Sequence, residues 1–442
     1  MEAASSRLMA AAGCRCYFLD LSRSLDPMNP FLLLFTIFYF AQQIVESCLT
    51  RLNVDHVRKH QNAVPAYFQD KISLDEYQRS VAYTCEKARF GIIVSWVEVP
   101  IFWGLLLSGF YGRLDATLRA LGFGTVGTGL LYLAAISVVF FLVSLPFSLY
   151  STFVIEQKYG FNRMTLKLWL LDFLKGLLLS ILIGGPILAA VLWFMNHHLQ
   201  GLWWLYVWIL LSLVQIFIAA IFPVFLLPLF NKLTPLEDGG LKRQILKLAQ
   251  KINFRLSGIY TMDGSKRSSH SNAFFAGLGK LRRIVLFDTL VKSLSESELL
   301  AVLAHEMGHN VKKHVRTGLM ISSVVSLAGL YVLSVLIRKP WFYDAFQFTQ
   351  PSAYAALLIF MKTSGAFTFF LSPLSSILSR KHEYEADRFA AEVMEKREPM
   401  IQGLVKLTRD NLSNLTPHPW YSFFYYSHPT VMERIRALER EG

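Results

Sequence analysis

Two histidines and a glutamate have the residue types and the spacing of a catalytic metal site. His305, Glu306 and His309 form the pattern H-E-x-x-H. Residues four apart share one face of an α-helix, so both imidazoles can reach a single Zn²⁺ ion. Glu306 then lies partly to one side, where its carboxylate can take a proton from water at the metal. The pattern therefore predicts hydrolytic zinc chemistry on a helix.

A catalytic zinc site usually has three protein ligands, so one more must come from another segment. The residues that could supply it are His314, His382, Glu383, Glu385, Asp387, His418 and His428. Glu383 is favoured because, like His309, it lies close to the end of an apolar segment. Asp387, four residues later on the same helical face, can support a ligand. His382 remains an alternative. His314 is expected on a different helical face from His309, as a basic residue at the membrane interface.

Long apolar segments must position these residues. Seven of them reach the roughly 20 residues that a spanning helix needs: 30–49, 91–110, 125–150, 169–195, 202–230, 318–337 and 353–378. Only 17% of the residues are charged, against about 25% in a soluble domain. The sequence therefore predicts an all-α polytopic protein in a lipid bilayer. Its regions are an N-terminal extension (1–29), five spans (30–230), a hydrophilic region with the H-E-x-x-H helix (231–317), two spans (318–378) and a C-terminal region that completes the metal site (379–442).

The first hydrophilic region has mixed local patterns. It predicts a helix over 241–251, followed by short strands over 258–262, 272–276 and 283–287. Ser295 and Glu298 have the spacing of a capping box at the start of the H-E-x-x-H helix. The four cysteines, Cys14, Cys16, Cys48 and Cys85, all precede this region. Cysteine ligation of the metal and a disulfide framework are therefore not expected.

The distribution of Lys and Arg predicts the orientation. On the side of the two hydrophilic regions, loop 50–90 carries seven and loop 151–168 carries three. The opposite side carries three in 1–29, two in 111–124, none in 196–201 and two in 338–352. The positive-inside rule then places both hydrophilic regions in the cytoplasm. The net charge of +13 follows from the same rule. No basic patch with interleaved aromatic residues appears, so no nucleic-acid partner is expected.

These residues, together with three further segments, resemble the type I CAAX prenyl endopeptidases, integral membrane zinc proteases of peptidase family M48. The segments are 262–274 (MDGSKRSSHSNAF), 283–290 (RIVLFDTL) and 418–429, which begins with HPWYS and ends with SHP. The resemblance implies seven membrane helices around a water-filled chamber, with a small α+β zincin-like catalytic portion in the cytoplasm. It also implies one Zn²⁺ per chain and a peptide or protein substrate with a prenylated C-terminus.

The resemblance also assigns roles to individual residues. His305, His309 and Glu383 match the family's zinc ligands, Glu306 its general base, and Asp387 the carboxylate that orients a ligand histidine. Asn272, with Ala273 and Phe274, matches an edge strand that lines the substrate cleft. His428 and Arg434 match groups that stabilise the tetrahedral intermediate. From the residues themselves, Pro429 is a favoured first helical residue, which would place Arg434 on the following helix.

The predicted function is that of an integral membrane zinc endopeptidase that processes CAAX-type C-termini. The alternative is a membrane-protein quality-control protease of broad specificity. A transporter or receptor with a vestigial metal site is a more distant alternative, which the intact motif disfavours. Depending on the source, the membrane is a bacterial inner membrane or that of the endoplasmic reticulum and nuclear envelope. Asp172 and Lys175 lie within a span, where they either pair with each other or line the chamber.

Overall fold

A computed structural model describes residues 29–197, 201–277 and 282–440. Within these residues, seven helices are long and apolar enough to cross a membrane. They are Pro30–Lys59, Leu74–Leu107, Gly124–Glu156, Leu166–His197, Trp203–Phe230, His314–Leu336 and Ala353–Met394. All seven predicted spans are therefore confirmed, and every helix except Trp203–Phe230 extends beyond its predicted apolar segment at one or both ends. The predicted N-terminal extension, with Cys14 and Cys16, lies outside the described residues apart from Asn29. The side chain of Asn29 caps the first span by accepting from two backbone N–H groups.

Shorter helices connect and follow the spans. They are Phe110–Arg119, Gly240–Lys251, Asp288–Ser293, Glu296–Val311, Pro340–Asp344, Glu398–Asp410, Pro419–Tyr425 and Val431–Arg440. Single 3₁₀ turns occur at Ala66–Phe68, Gly264–Lys266 and Phe369–Leu371, and π-type turns at Ser151–Glu156, Ser180–Gly184 and Phe222–Leu226. Pro186 lies just after one π-type turn and Pro223 lies within another. Because proline has no N–H, it interrupts the helical hydrogen-bond ladder at these two turns.

Four short strands form one mixed sheet within the described residues. They are β1 (Leu233–Pro235), β2 (Gly258–Met262), β3 (Ala273–Ala276) and β4 (Arg283–Phe287), in the order β1-β2-β4-β3. β2 and β4 are parallel, while β1 and β3 pair antiparallel with their neighbours. The predicted strands 258–262 and 283–287 are confirmed, and β3 begins one residue later than predicted. β1 was not predicted, because three residues that end in a proline carry no periodic pattern.

The helix Glu296–Val311, here called the metal-site helix, packs between the sheet and the C-terminal region. Ser295 and Glu298 form the predicted capping box at its start. Leu299, Leu303 and Met307 are buried in the core that continues under β4. Glu298 also accepts a hydrogen bond from Lys406 at 2.7 Å, which joins this helix to Glu398–Asp410. Burial and capping therefore fix the position and the rotation of the metal-site helix.

The seventh span continues past the membrane as Ser372–Met394, here called the juxtamembrane helix, which packs along the metal-site helix. Gly308 makes the close approach possible. A Cβ atom at Gly308 would lie 3.2 Å from the Ala386 Cα and 3.0 Å from the Phe389 ring. Because Gly308 has no side chain, the two helices come close enough for Glu383 and Asp387 to face the H-E-x-x-H residues.

Candidate active site

Three predicted ligands converge on one point. One ligand atom each of His305, His309 and Glu383 lies within 4.8 Å of the other two. The Nε2 atoms of the two histidines are 3.2 Å apart. Oε1 of Glu383 lies 3.3 Å from His309 Nε2, and Oε2 lies 3.5 Å from His305 Nε2. His382, the alternative third ligand, is turned away, because its ring stacks on His314 at 4.0 Å.

The charges around this point fit a divalent cation. Glu306, Glu383 and Asp387 bring three carboxylates, while the nearly buried Arg434 brings one positive charge. Carboxylates therefore outnumber cationic side chains around the three ligands, which favours a bound cation. Oε2 of Glu383 is buried and has no hydrogen-bond partner. The Nδ1 atom of His428 lies 2.9 Å from this oxygen, without the alignment of a hydrogen bond. A buried carboxylate oxygen of this kind is suited to a metal ion.

His305 is held on its outer side by a carboxylate. Its Nδ1 atom lies 2.8 Å from Oδ1 of Asp387. Arg434 in turn donates two hydrogen bonds to Asp387, at 2.8 and 2.6 Å. Burial disfavours a charged imidazole, but the close carboxylates of Asp387 and Glu383 outweigh it and raise the pKa of His305 to about 9. The surroundings of this side chain therefore favour positive charge, as expected around a cation site.

His309 is held on its outer side by another histidine, which the sequence interpretation had placed elsewhere. Nδ1 of His309 lies 3.0 Å from Nδ1 of His314, and Nε2 of His314 lies 2.9 Å from Oε2 of Glu385. The expectation that His314 is an interfacial residue on a different face is wrong. Lys313 adopts a left-handed conformation with φ +64°, so the metal-site helix ends and helical spacing no longer applies. The interruption turns His314 back against His309.

Glu306 lies beside the converging ligands. Burial raises the pKa of its carboxyl group, against the opposing effect of the two nearby imidazoles. A carboxylate with a raised pKa binds a proton more firmly, which suits a group that must both accept and release one near neutral pH. The position of Glu306 therefore fits the role of general base that the sequence predicts.

His428 and Arg434 approach the site from the C-terminal region. The side chain of His428 is 64% exposed, whereas that of Arg434 is 12% exposed. The helix that carries Arg434 begins at Val431, so the prediction that Pro429 is its first residue is wrong. Thr430 caps it instead, through reciprocal hydrogen bonds with Glu433. His428 therefore lies in the loop before this helix, with its Nδ1 atom beside Oε2 of Glu383.

The three residues predicted to bind substrate lie at the free edge of the sheet. Among the described residues, β3 pairs with β4 and with no other strand, and it lies against the metal-site helix. Asn272 is exposed just before β3, and its Oδ1 accepts from the backbone N–H of Ala273. The side chain of Ala273 is buried in the core, and Phe274 packs on Phe287. What this edge offers to a peptide is therefore mainly its backbone.

Two family models match the chain. One, described as the CAAX prenyl protease N-terminal region with five membrane helices, matches residues 53–232, and the other, peptidase family M48, matches residues 235–442. CAAX prenyl protease 1 of Saccharomyces cerevisiae is 36% identical, over 95% of this chain and 98% of its own length. The chain belongs to peptidase family M48.

Other relatives of this M48 protease agree with that assignment. The human CAAX prenyl protease 1 homolog is 30% identical, over 85% of this chain and 88% of its own length. The crystal structure of Ste24p from S. mikatae matches with a TM-score of 0.87 and 35% identity, covering 93% of this chain and 99% of that one. The predicted fold class, a helical polytopic membrane protein with a chamber and a small α+β portion, is thereby confirmed. The protein is a multi-pass membrane metalloendopeptidase that acts on peptides or proteins.

The M48 protease contains a cavity of about 650 Å³ between its first two spans and its C-terminal region. Its wall includes His270, three residues before β3, and Asn411. Three tyrosines of the aromatic segment 420–426 (Tyr421, Tyr425 and Tyr426) also line it. The cavity therefore reaches from the spans towards the start of β3.

The charged residues within the fourth span have other partners than the sequence suggested. Asp172 accepts two hydrogen bonds from Arg267, at 2.8 and 2.9 Å, instead of pairing with Lys175. Lys175 donates to the backbone carbonyl of Leu229. The prediction of a local pair is therefore wrong, because the span meets the loop that precedes β3. This ion pair ties the loop to the membrane helices.

Proposed function

We propose that this M48 protease is a zinc endopeptidase with His305, His309 and Glu383 as its metal ligands. The observation that carries the proposal is the convergence of two imidazoles and one buried carboxylate beside a further carboxylate, that of Glu306. Two imidazoles and a carboxylate are a usual ligand set for catalytic zinc. Imidazole ligands disfavour the harder cations Mg²⁺ and Ca²⁺.

Each site residue has a separate role in peptide hydrolysis. A bound Zn²⁺ ion supplies the positive charge that polarises a scissile carbonyl and acidifies water. Glu306 accepts the proton of the attacking water and then passes it to the departing amine. Asp387 and Arg434 keep His305 oriented, and the positive charge of Arg434 also favours the transition state, in which the carbonyl oxygen becomes negative. His428, exposed beside Glu383, can donate a hydrogen bond to that oxygen.

The substrate peptide is held as an additional strand. The free edge of β3 lies against the metal-site helix, so main-chain hydrogen bonds to this edge place an extended peptide across the ligands. Asn272, exposed at the start of β3, stands where the peptide passes. Such binding depends on the peptide backbone and therefore tolerates different side chains.

We further propose that the substrates are proteins with a prenylated CAAX C-terminus, from which the last three residues are removed. The support is the name of the relatives, CAAX prenyl protease 1, in organisms as distant as yeast and human. The 36% identity to the yeast protease extends over nearly the full length of both chains, so the similarity includes the spans as well as the metal site.

A cleavage assay with purified full-length protein tests both proposals. A farnesylated CAAX peptide, its unmodified counterpart and an unstructured membrane-tethered polypeptide are offered, with Glu306→Gln as the control. We expect the farnesylated peptide to lose three residues and the variant to bind zinc without cleaving. Cleavage of the unstructured chain alone would replace CAAX processing with quality-control proteolysis. If zinc binds and no substrate is cut, the proposed CAAX substrate and the proposed catalytic role of Glu306 are overturned.

The metal site is proposed to face the cytoplasm, in the endoplasmic reticulum and nuclear envelope membrane if the source is a eukaryote or in the inner membrane if it is a bacterium. The support is the excess of Lys and Arg in loops 50–90 and 151–168. In a cysteine-free background, Glu392→Cys on the metal-site side and Arg113→Cys on the opposite side can be labelled with an impermeant thiol reagent. In sealed microsomes, for a eukaryotic source, we expect Glu392→Cys to be labelled and Arg113→Cys to be protected. In intact bacterial cells, we expect Glu392→Cys to be protected and Arg113→Cys to be labelled. The reverse pattern in either preparation would contradict the orientation.

A further inference from the structure

The metal-ligand histidines differ in what lies behind them. The outer nitrogen of His305 meets a carboxylate directly, at 2.8 Å. Nδ1 of His309, the nitrogen on the side away from the ligands, contacts His314. The carboxylate of Glu385 lies on the far side of His314. His314 is nevertheless almost fully buried, with a side chain that is 6% exposed. A buried imidazole between a metal ligand and an anion requires an explanation.

We propose that His314 and Glu385 form a relay that positions His309 and fixes its tautomer for metal binding. This inference rests on the metal site proposed above. The ionised Glu385 carboxylate can only accept a hydrogen bond, so Nε2 of His314 carries the proton. Nδ1 of His314 then presents a lone pair, and Nδ1 of His309 must donate to it. Nε2 of His309 is thereby left with its lone pair directed at the metal, as ligation requires.

Two further contacts hold the relay in place. The ring of His382 stacks on that of His314, with centroids 4.0 Å apart and planes at 9°. Lys313 is left-handed at φ +64°, a conformation that directs the chain sharply from the metal-site helix into the sixth span. His314 itself is not a ligand, because its Nδ1 faces the outer nitrogen of His309 and its Nε2 faces Glu385. The two neighbours therefore fix both the plane and the place of the intermediate ring.

Metal affinity tests the relay without reference to any peptide substrate. The variants are His314→Phe, which keeps a planar ring without nitrogen atoms, Glu385→Gln, and the double variant. Glu392→Gln is the matched control, because Glu392 is an exposed glutamate two turns further along the same helix. The zinc dissociation constant of the purified full-length protein is measured by competition with a chromophoric chelator. The visible absorption spectrum of the Co²⁺-substituted protein reports the geometry of the ligands.

We expect His314→Phe and Glu385→Gln each to weaken zinc binding about tenfold and to shift the Co²⁺ bands. The double variant should lose little more than His314→Phe alone, because both residues act through one chain of contacts. His314→Gln, whose amide oxygen can still accept from His309, should recover part of the affinity. It also keeps the test open if His314→Phe fails to fold.

Parent-like affinity together with an unchanged Co²⁺ spectrum in a folded His314 variant would overturn the relay. Fully additive losses in the double variant would do the same, since independent residues add. If the parent protein binds no zinc, the metal site itself is wrong and the relay fails with it. An absence of cleavage with normal metal binding would instead count against the proposed peptidase function alone.

Discussion

His305 and His309 lie one helical turn apart, yet the chain supports them with different chemistry. Behind His305, the buried Asp387 carboxylate is neutralised by two hydrogen bonds from Arg434. Behind His309, His314 leads outwards to Glu385, whose side chain is 36% exposed. We call these the buried arm and the rim arm of the site.

The difference between the arms follows from access to water. A buried carboxylate needs a paired cation, because desolvation of an isolated charge is costly. Asp387 therefore requires Arg434, which reaches it from the C-terminal helix. Glu385 remains partly hydrated and needs no buried cation, although Lys381 lies 3.9 Å away. In the proposed relay, a carboxylate at the rim therefore acts on His309 through the intervening imidazole of His314.

The largest expected effect comes from breaking the buried arm. Asp387→Asn removes the negative charge that Arg434 pairs with and weakens the support of His305. We expect zinc affinity to fall about a hundredfold, at the upper end of the range for residues that orient metal ligands. Chelator competition measures it, beside Glu385→Gln, for which about tenfold is expected. An equal or smaller loss in Asp387→Asn would show that the buried arm is not the stronger support.

A smaller effect is expected from a substitution that moves the juxtamembrane helix, which carries Asp387 and Glu385, away from the metal-site helix. Gly308→Ala places a Cβ atom 3.2 Å from the Ala386 Cα, so the metal-site and juxtamembrane helices must separate by a few tenths of an ångström. Because catalysis depends steeply on geometry, we expect kcat/KM to fall about tenfold. Gly318→Ala is the control, since a Cβ atom there meets nothing within 4 Å. Equal activities of the two variants would contradict the close-packing argument.

The metal-site helix, which carries both ligand histidines, can be destabilised without changing a residue of either arm. Although burial raises it, the hydrogen bonds from Lys406 and Ser295 lower the pKa of Glu298 below its ordinary value. This contribution is present above the pKa of the unfolded chain and is lost as pH falls through the lower folded value. Glu298→Gln should therefore reduce stability by about 1 kcal/mol at neutral pH, and the difference from the parent should shrink in acid.

Thermal unfolding in detergent, followed between neutral and acidic pH, measures this change. The exposed neighbour Glu296→Gln serves as control. Zinc affinity should stay close to that of the parent, because the substitution changes helix stability and leaves the arms intact. A difference in unfolding temperature that is independent of pH would exclude the ionised Glu298 as its source.

The smallest expected effect is confined to the rim arm. Lys313→Val puts a β-branched residue in the left-handed region, which costs about 1 kcal/mol. The substitution strains the turn that positions His314. Zinc affinity should therefore drop slightly, and the Co²⁺ bands should shift in the same direction as in the His314→Phe variant. Lys312→Val, at φ −76°, is the control. A spectrum identical to that of the control would show that the turn does not govern the rim arm.

The sequence by itself determined the elements and the main chemistry. Lipid requires every backbone hydrogen bond to be satisfied within a segment, so the length and apolarity of a segment suffice to locate a span. H-E-x-x-H and the Glu383–Asp387 spacing are likewise local, since residues four apart share a helical face. The capping box at Ser295 belongs to the same class of information. These patterns need no knowledge of the rest of the chain.

Only the tertiary structure decided which distant residues support the site. Arg434 meets Asp387 across 47 residues, Glu385 meets His314 across 71, and Arg267 meets Asp172 across 95. Periodicity carries no information about such pairs. They depend on how closely helices pack, as at Gly308, and on where one helix stops. Helical spacing misplaced His314 because a single left-handed residue, Lys313, ends the helix before it, and that change of direction is set by the packing of the sixth span.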